Sequence, residues 1–250
     1  MRTKYRHPPI EEAICQFTLA QSSSWDSDTP RRLFEKFRDR YPAMPMQQQV
    51  LQANLASLPA AEAPGITLAP VERVVFADTE NQSRLSVGPQ VISIHRARPY
   101  VGFEEDMLPR INYSLPVALE TLQTNPTFRT VSVRYINKIE INTTEFSLES
   151  YFNYMSTAEA LPPSFDGTIT GFFYRTGAKH NSSPLDLALN FASLAAPKDT
   201  AAFLLDIDLT YNFEEPVGAN DAIAKTVEIK ATENSIFESL ITDATRELFK

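Results

Sequence analysis

Apolar and polar residues alternate along residues 128–142, near the middle of the chain, and this period of two predicts a β-strand. Val133 and Tyr135 fall on one face of that strand, and Arg134 falls on the other. Most residues in the middle of a strand only pack, yet this strand also contains an arginine and an asparagine. We therefore take Arg134 and Asn137 as the first candidates for a functional site.

Similar alternation predicts further strands on both sides of this segment. They cover residues 10–19, 47–55, 71–78, 84–87, 91–96, 168–176, 185–194 and 202–213. Spacings of three and four residues predict helices at 28–41, 102–123 and 147–155, and a long amphipathic helix at 220–249. The apolar stripe of the last helix includes Ile223, Val227 and Phe237. Lys230 and Asn234 interrupt it, which predicts a bend or a polar contact there.

The order helix, several strands, helix occurs once before residue 142 and again after it. This order predicts an α+β protein in which helices pack on one face of an antiparallel sheet and a long helix ends the chain. The chain is expected to form one compact unit of residues 1–250, in which 1–142 and 143–250 are candidate halves of a duplicated strand–helix–meander–helix unit. Since an antiparallel sheet can leave one face open, sheet and C-terminal helix could also enclose a pocket.

The formal net charge of −8 disfavours nucleic acid as a partner. The charge is uneven: residues 1–142 carry 16 Lys+Arg and 15 Asp+Glu, whereas 143–250 carry 7 and 16. The acidic half is either a solvated surface or a surface that meets a basic partner. Cys15 is the single cysteine, which excludes intramolecular disulfides and cysteine-rich zinc sites. With no apolar membrane span or secretory signal, we expect a cytoplasmic protein.

Three segments resemble one family of bacterial proteins. They are His7-Pro-Pro-Ile-Glu-Glu-Ala-Ile-Cys-Gln-Phe17, Leu85-Ser-Val-Gly-Pro-Gln-Val-Ile-Ser-Ile-His95 and Arg134-Tyr-Ile-Asn-Lys-Ile139. Together they resemble a sporadically distributed family of uncharacterised proteins of about 250 residues, in which the Arg-Tyr-Ile-Asn strand is the most distinctive motif. That family has no established activity. The resemblance implies a scattered distribution like that of cargo on mobile elements, including defence and toxin–antitoxin modules.

The other candidate residues leave their chemistry open. Arg96 could join Arg134 in a clamp for phosphate or carboxylate, or each could belong to a structural network. His95 with Tyr100 is either an acid–base pair or a packed histidine. No two of the three histidines share metal-ligand spacing, so we expect no metal and no cofactor.

Three carboxylates, Asp186, Asp206 and Asp208, are predicted on one sheet face. They could bind a divalent cation or simply line a solvated surface.

Because no catalytic constellation is evident, we expect a non-enzymatic accessory protein that binds a partner protein, in a bacterial defence or toxin-neutralising module. The alternative is a module that binds a small anionic ligand between the sheet and the C-terminal helix, through Arg134, Asn137 and Arg96. Tyr135 and His95 complete the candidate binding residues.

Overall fold

The computed structural model describes residues 5–53, 68–122, 127–143, 147–153, 164, 167 and 169–250. Within them the chain forms nine strands and five α-helices, and a π-helical turn, Phe103–Met107, leads directly into the second helix. The strands are β1 (Ile10–Leu19), β2 (Met46–Ala53), β3 (Leu68–Ala77), β4 (Ser83–Val87), β5 (Val91–Ala97), β6 (Phe128–Ile141), β7 (Phe173–Lys179), β8 (Leu185–Leu194) and β9 (Ala201–Val217). The helices are α1 (Thr29–Phe37), α2 (Leu108–Thr121), α3 (Leu148–Tyr151), α4 (Ala219–Leu240) and α5 (Asp243–Glu247).

All nine strands join one antiparallel sheet in the order β2-β3-β4-β5-β1-β6-β9-β8-β7. The described helices pack on one side of this sheet, which we call the inner face. The predicted α+β class, with a long helix near the C-terminus, is confirmed. No helix in the described ranges is both long and apolar enough to cross a membrane.

The strand order contains a topological repeat. β1 and β6 pair antiparallel at the centre, and each is followed by a helix and then by a meander that returns to its side. The first meander supplies β5, β4, β3 and β2, counting outward, whereas the second supplies β9, β8 and β7. The symmetric division therefore falls between α2 and β6, so that the Arg-Tyr-Ile-Asn strand opens the second unit. β2 has no counterpart among the described strands of that unit.

The core lies between the inner face and the helices. Along β1, buried side chains alternate with partly exposed ones from Ala13 through Cys15 and Phe17 to Leu19. This alternation follows from the pleat, which directs every second side chain to the same face. Two clusters of buried side chains fill the layer, one beneath α1, α2 and the first part of α4, the other beneath α3, α5 and the end of α4. Burial of each large apolar side chain contributes about 1.5–3 kcal/mol.

α4 is shorter than predicted, and its buried face is displaced. It ends at Leu240 because the backbone of Ile241 forms a β-bridge with Phe152, after which a separate helix follows. Val227, expected in the apolar stripe, is 40% exposed. The buried face instead consists of Ala222, Thr226, Ile229, Lys230, Glu233, Phe237 and Leu240.

A buried ion pair makes this face compatible with the core. Lys230 Nζ lies 2.5 Å from Glu233 Oε2, and both side chains are almost fully shielded from solvent. The same ammonium group lies 3.5 Å from the ring centroid of Tyr135 in β6. The predicted polar contact at Lys230 is therefore present, and it joins α4 to the central strand. Burial raises the pKa of Glu233, against the opposing effect of Lys230.

Replacing one partner of this pair tests its contribution. Lys230→Met leaves the Glu233 carboxylate buried without its counter-ion, so we expect the free energy of unfolding at pH 8 to fall by about 3–5 kcal/mol. The loss is smaller at pH 5, because the raised pKa of Glu233 lets the carboxyl take up a proton. Urea denaturation at both pH values measures the difference. The double variant Lys230→Met/Glu233→Leu should recover most of the stability, and a loss independent of pH would contradict this account.

Candidate functional site

The opposite side of the sheet, which we call the outer face, has no helix packed on it among the described elements. It consists of the side chains of β1 and β4–β9 that point away from the core. The register places Arg134 of β6 beside Asp208 of β9, and Asp206 of β9 beside Asn190 of β8. Each of these four polar residues alternates with core residues along its own strand. The two-residue period of a strand therefore directs all four side chains to the outer face.

Arg134 forms a two-point ion pair with Asp206. Its Nε and Nη2 atoms donate to the two carboxylate oxygens, each at 2.8 Å. The Asp206 side chain is only 4% exposed and also accepts from Asn190 Nδ2 at 2.8 Å. The bonds to Asp206 raise the pKa of Arg134. Of the two roles open from the sequence, the structural network is the one that this geometry supports for Arg134.

Asp208 lies next to this pair but is not satisfied by it. Its Oδ1 atom is shielded from solvent and has no hydrogen-bond partner among the described residues. Burial raises the pKa of Asp208 to about 6, with Arg134 acting in the opposite direction and Asp206 adding to the rise. The Asp208 carboxyl group therefore changes its protonation state near pH 6.

A second polar group of the outer face joins β1, β4 and β5. One carboxylate oxygen of Glu12 accepts from His95 Nδ1 at 2.8 Å and also from Arg84 Nη2. Burial opposes ionisation of Glu12, but the bonds from His95 and Arg84 outweigh it and hold its pKa below the ordinary value. The carboxylate fixes the orientation of the imidazole, as in many carboxylate–histidine pairs.

Asn137 and Arg96 lie on the inner face, away from Arg134. Asn137 Nδ2 donates to the carbonyl oxygen of Leu205 at 3.1 Å, beside a register shift in the pairing of β1 with β6. Arg96 Nε donates to Asp106 at 2.7 Å. Because the side chains of Arg134 and Asn137 point to opposite sides of the sheet, one small ligand cannot contact both.

Tyr135 also belongs to the inner face. Its hydroxyl group shares a 2.6 Å hydrogen bond with that of Tyr100, and burial raises the pKa of both phenols. Tyr100 is therefore on the core side, whereas His95 points outward to Glu12. The structure does not bring His95 and Tyr100 together as an acid–base pair.

The three predicted carboxylates lie on one face as expected, but they do not form a joint site. Asp186, Asp206 and Asp208 do share the outer face, but Asp206 is occupied by Arg134 and Asn190, and Asp186 accepts from Asn212 at 3.0 Å. Among the described residues, no group of three His, Cys, Asp or Glu side chains is placed to hold a metal ion.

One feature of the outer face escaped the sequence analysis. Phe173 in β7 is 64% exposed and stands opposite Ala192, which pairs in turn with Leu204. These three side chains, with Leu194 in β8, form what we call the Phe173 patch. Arg175 lies one step along the same face, opposite Asn190. The signal was present in the sequence, since Phe173 has the same strand parity as Arg175 and Lys179 and the opposite parity to the packed Phe172 and Tyr174.

The sequence matches no protein-family model, and none of the curated proteins is detectably similar to it. The resemblance to the family with the Arg-Tyr-Ile-Asn strand stays a prediction.

A substitution at Arg134 separates a structural from a binding role. Arg134→Ala leaves the buried Asp206 carboxylate without its cation, and we expect a loss of about 2–4 kcal/mol in the free energy of unfolding, below the full cost for a deeply buried pair because Arg134 is partly exposed. Adding Asp206→Asn to Arg134→Ala should restore most of that stability. Chemical denaturation of both variants measures it; an unchanged midpoint in Arg134→Ala would contradict the structural role.

The raised pKa of Asp208 predicts that this residue lowers the free energy of unfolding at high pH but not at low pH. The native protein binds this proton more tightly than the unfolded chain does, so the contribution of Asp208 to stability falls as the pH rises from about 4 to about 6. Asp208→Asn should therefore be more stable than the natural protein by roughly 1–3 kcal/mol at pH 8, and the difference should vanish near pH 4. Denaturation curves at the two pH values decide this, and equal stabilities at pH 8 would refute it.

Proposed function

We propose that this chain is a non-enzymatic accessory protein that binds a partner protein through the outer face of its sheet. The observation that carries the proposal is the Phe173 patch, an exposed aromatic side chain beside aliphatic residues on a face that no described helix covers. Aromatic residues and arginines are enriched at the centres of protein interfaces, and an exposed phenylalanine with an arginine beside it matches that composition.

Two arginines on the same face of the sheet support the same function. Arg134, 39% exposed in its side chain, is held in place by Asp206, and Arg175 stands beside the patch. Arginine and phenylalanine are enriched in protein interfaces, where a preorganised guanidinium group loses little conformational freedom on binding. The fixed ion pair thus serves both the scaffold and a surface that a partner contacts.

The alternative, a pocket for a small anionic ligand between sheet and α4, has less support. Arg96 is already paired with Asp106, and the space beneath α4 holds the Lys230–Glu233 pair against Tyr135. A ligand would have to displace these buried partners, at the cost of breaking them.

The family resemblance suggests in which cellular system this function is used. We propose that the protein acts in the cytoplasm, in a bacterial defence or toxin-neutralising module whose partner is encoded nearby.

Two variants on opposite sides of the molecule test the proposal. The product of the neighbouring gene is co-expressed and its affinity for the purified chain measured by calorimetry. Phe173→Asp should weaken the complex at least tenfold, since a hot-spot aromatic contributes about 2 kcal/mol or more. Val227→Asp, an equal change at an exposed position of α4, should leave the affinity unchanged. Failure of the two proteins to associate, or equal effects of the two substitutions, would reject the proposal.

A further inference from the structure

β7 is the last described strand on its side of the sheet. Its edge away from β8, which we call the free edge because no described strand pairs with it, can be assigned residue by residue. The amide of Ser193 in β8 donates to the carbonyl oxygen of Phe172 at 3.1 Å, and that of His180 donates to the carbonyl oxygen of Leu185 at 2.8 Å. In an antiparallel ladder, hydrogen-bonded residues alternate with residues whose amide and carbonyl groups point the other way. Even-numbered residues therefore bond to β8. The odd-numbered residues direct their amide and carbonyl groups to the free edge: Phe173, Arg175, Gly177 and Lys179.

Within the described residues, this edge lacks two of the features that usually block strand addition, a proline and a β-bulge. β7 pairs with β8 over seven consecutive residues without a register shift, and it contains no proline. Almost all of its residues are exposed. A regular strand edge with no described element over it is a template for another strand.

The topological repeat shows where a further strand fits. In the first unit, β3 is covered by β2, paired from Met46 to Ala53. β7 occupies the position equivalent to β3, and no described strand occupies the position equivalent to β2. The fold thus already contains one example of a strand at the place that is open beside β7.

Side-chain charge identifies the kind of strand that fits. Arg175 and Lys179 point to the outer face, four residues apart, and neither forms an ion pair within the described part of the chain. Facing cations disfavour pairing with a second copy of the same edge, whereas carboxylates opposite them are stabilising. Gly177 stands between them, and a Cβ atom added there would meet nothing within 4 Å. A large side chain opposite Gly177 has room to cover it.

We propose that the partner protein docks by adding an acidic β-strand to the free edge of β7, with carboxylates facing Arg175 and Lys179 and an apolar residue facing Phe173. This inference rests on the proposed function and gives it a docking element. The backbone of the four odd-numbered residues supplies the affinity, and the alternate side chains supply the specificity.

A capped peptide tests the edge without the natural partner. The probe is Glu-Thr-Tyr-Thr-Glu-Thr-Val, which in antiparallel register faces its glutamates to Lys179 and Arg175, its tyrosine to Gly177 and its valine to Phe173. Amide exchange measured by NMR on the full chain should be fast at the four odd-numbered residues and slow at Tyr174, Thr176 and Ala178. Saturating peptide should slow exchange at the odd-numbered residues at least tenfold.

Matched control peptides and variants distinguish strand addition from non-specific electrostatic binding. Lysine in place of both glutamates should weaken binding at least tenfold, and the protein variant Arg175→Glu/Lys179→Glu should reverse that preference. The backbone N–H groups of the third and fifth peptide residues would bond to the edge of β7, so methylation of those two nitrogens should abolish binding. The N–H groups of the second and fourth residues point away from β7, and methylation there should not abolish it. Gly177→Pro removes one edge amide that β8 does not use, so it should weaken binding while the fold stays intact.

Several results would overturn the inference. They are slow exchange of the odd-numbered amides in the free protein, equal binding of the acidic and basic peptides, and self-association of the chain through β7 in sedimentation. A partner complex that is lost in Phe173→Asp but unchanged in Gly177→Pro would reject strand addition while leaving the proposed function in place.

Discussion

β1 and β6 pair antiparallel in the middle of the sheet, and this pairing holds the two topologically similar units together. Each strand carries its own meander outward, so a single continuous sheet results only because these two strands meet. The pairing also fixes which side of every other strand faces the helices, since one residue of slip would exchange the two faces. The core beneath α2 and α4 and the polar outer face are both consequences of that register.

Polar groups on the two faces obey different constraints. On the inner face, Lys230 and Glu233 are shielded from water, so each requires the other, and Tyr135 completes the contact. On the outer face, Arg134 is rigidly held by Asp206 but remains partly open to solvent. The first arrangement serves the scaffold alone. The second leaves a fixed guanidinium group on a surface, which is the state from which binding costs least conformational entropy.

The two units differ at their outer ends, and the difference gives the second unit its proposed role. β2 protects the edge of β3, whereas the odd-numbered residues of β7 carry amide and carbonyl groups that no described strand uses, beside Arg175 and Lys179. Cations on an edge strand protect a protein from pairing with copies of itself. The same positive charges favour pairing with an acidic strand. One strand can therefore both resist aggregation and select its partner.

The sequence by itself determined the α+β class, the face on which Arg134 lies and the approximate positions of most strands, because a period of two or of 3.6 residues is a local property of the chain. The strand predicted at 168–176 is displaced to Phe173–Lys179. The sequence also marked Lys230 as a polar contact. Only the tertiary structure decided what these side chains meet: Asp206 reaches Arg134 from 72 residues away, and the carbonyl oxygen of Leu205 accepts from Asn137 across the sheet. The same holds for the buried face of α4, which includes the paired Glu233 and leaves the expected Val227 exposed. Local periodicity assigns a face to each residue, but neighbours across a sheet depend on the register of segments far apart in the chain, which no local pattern encodes.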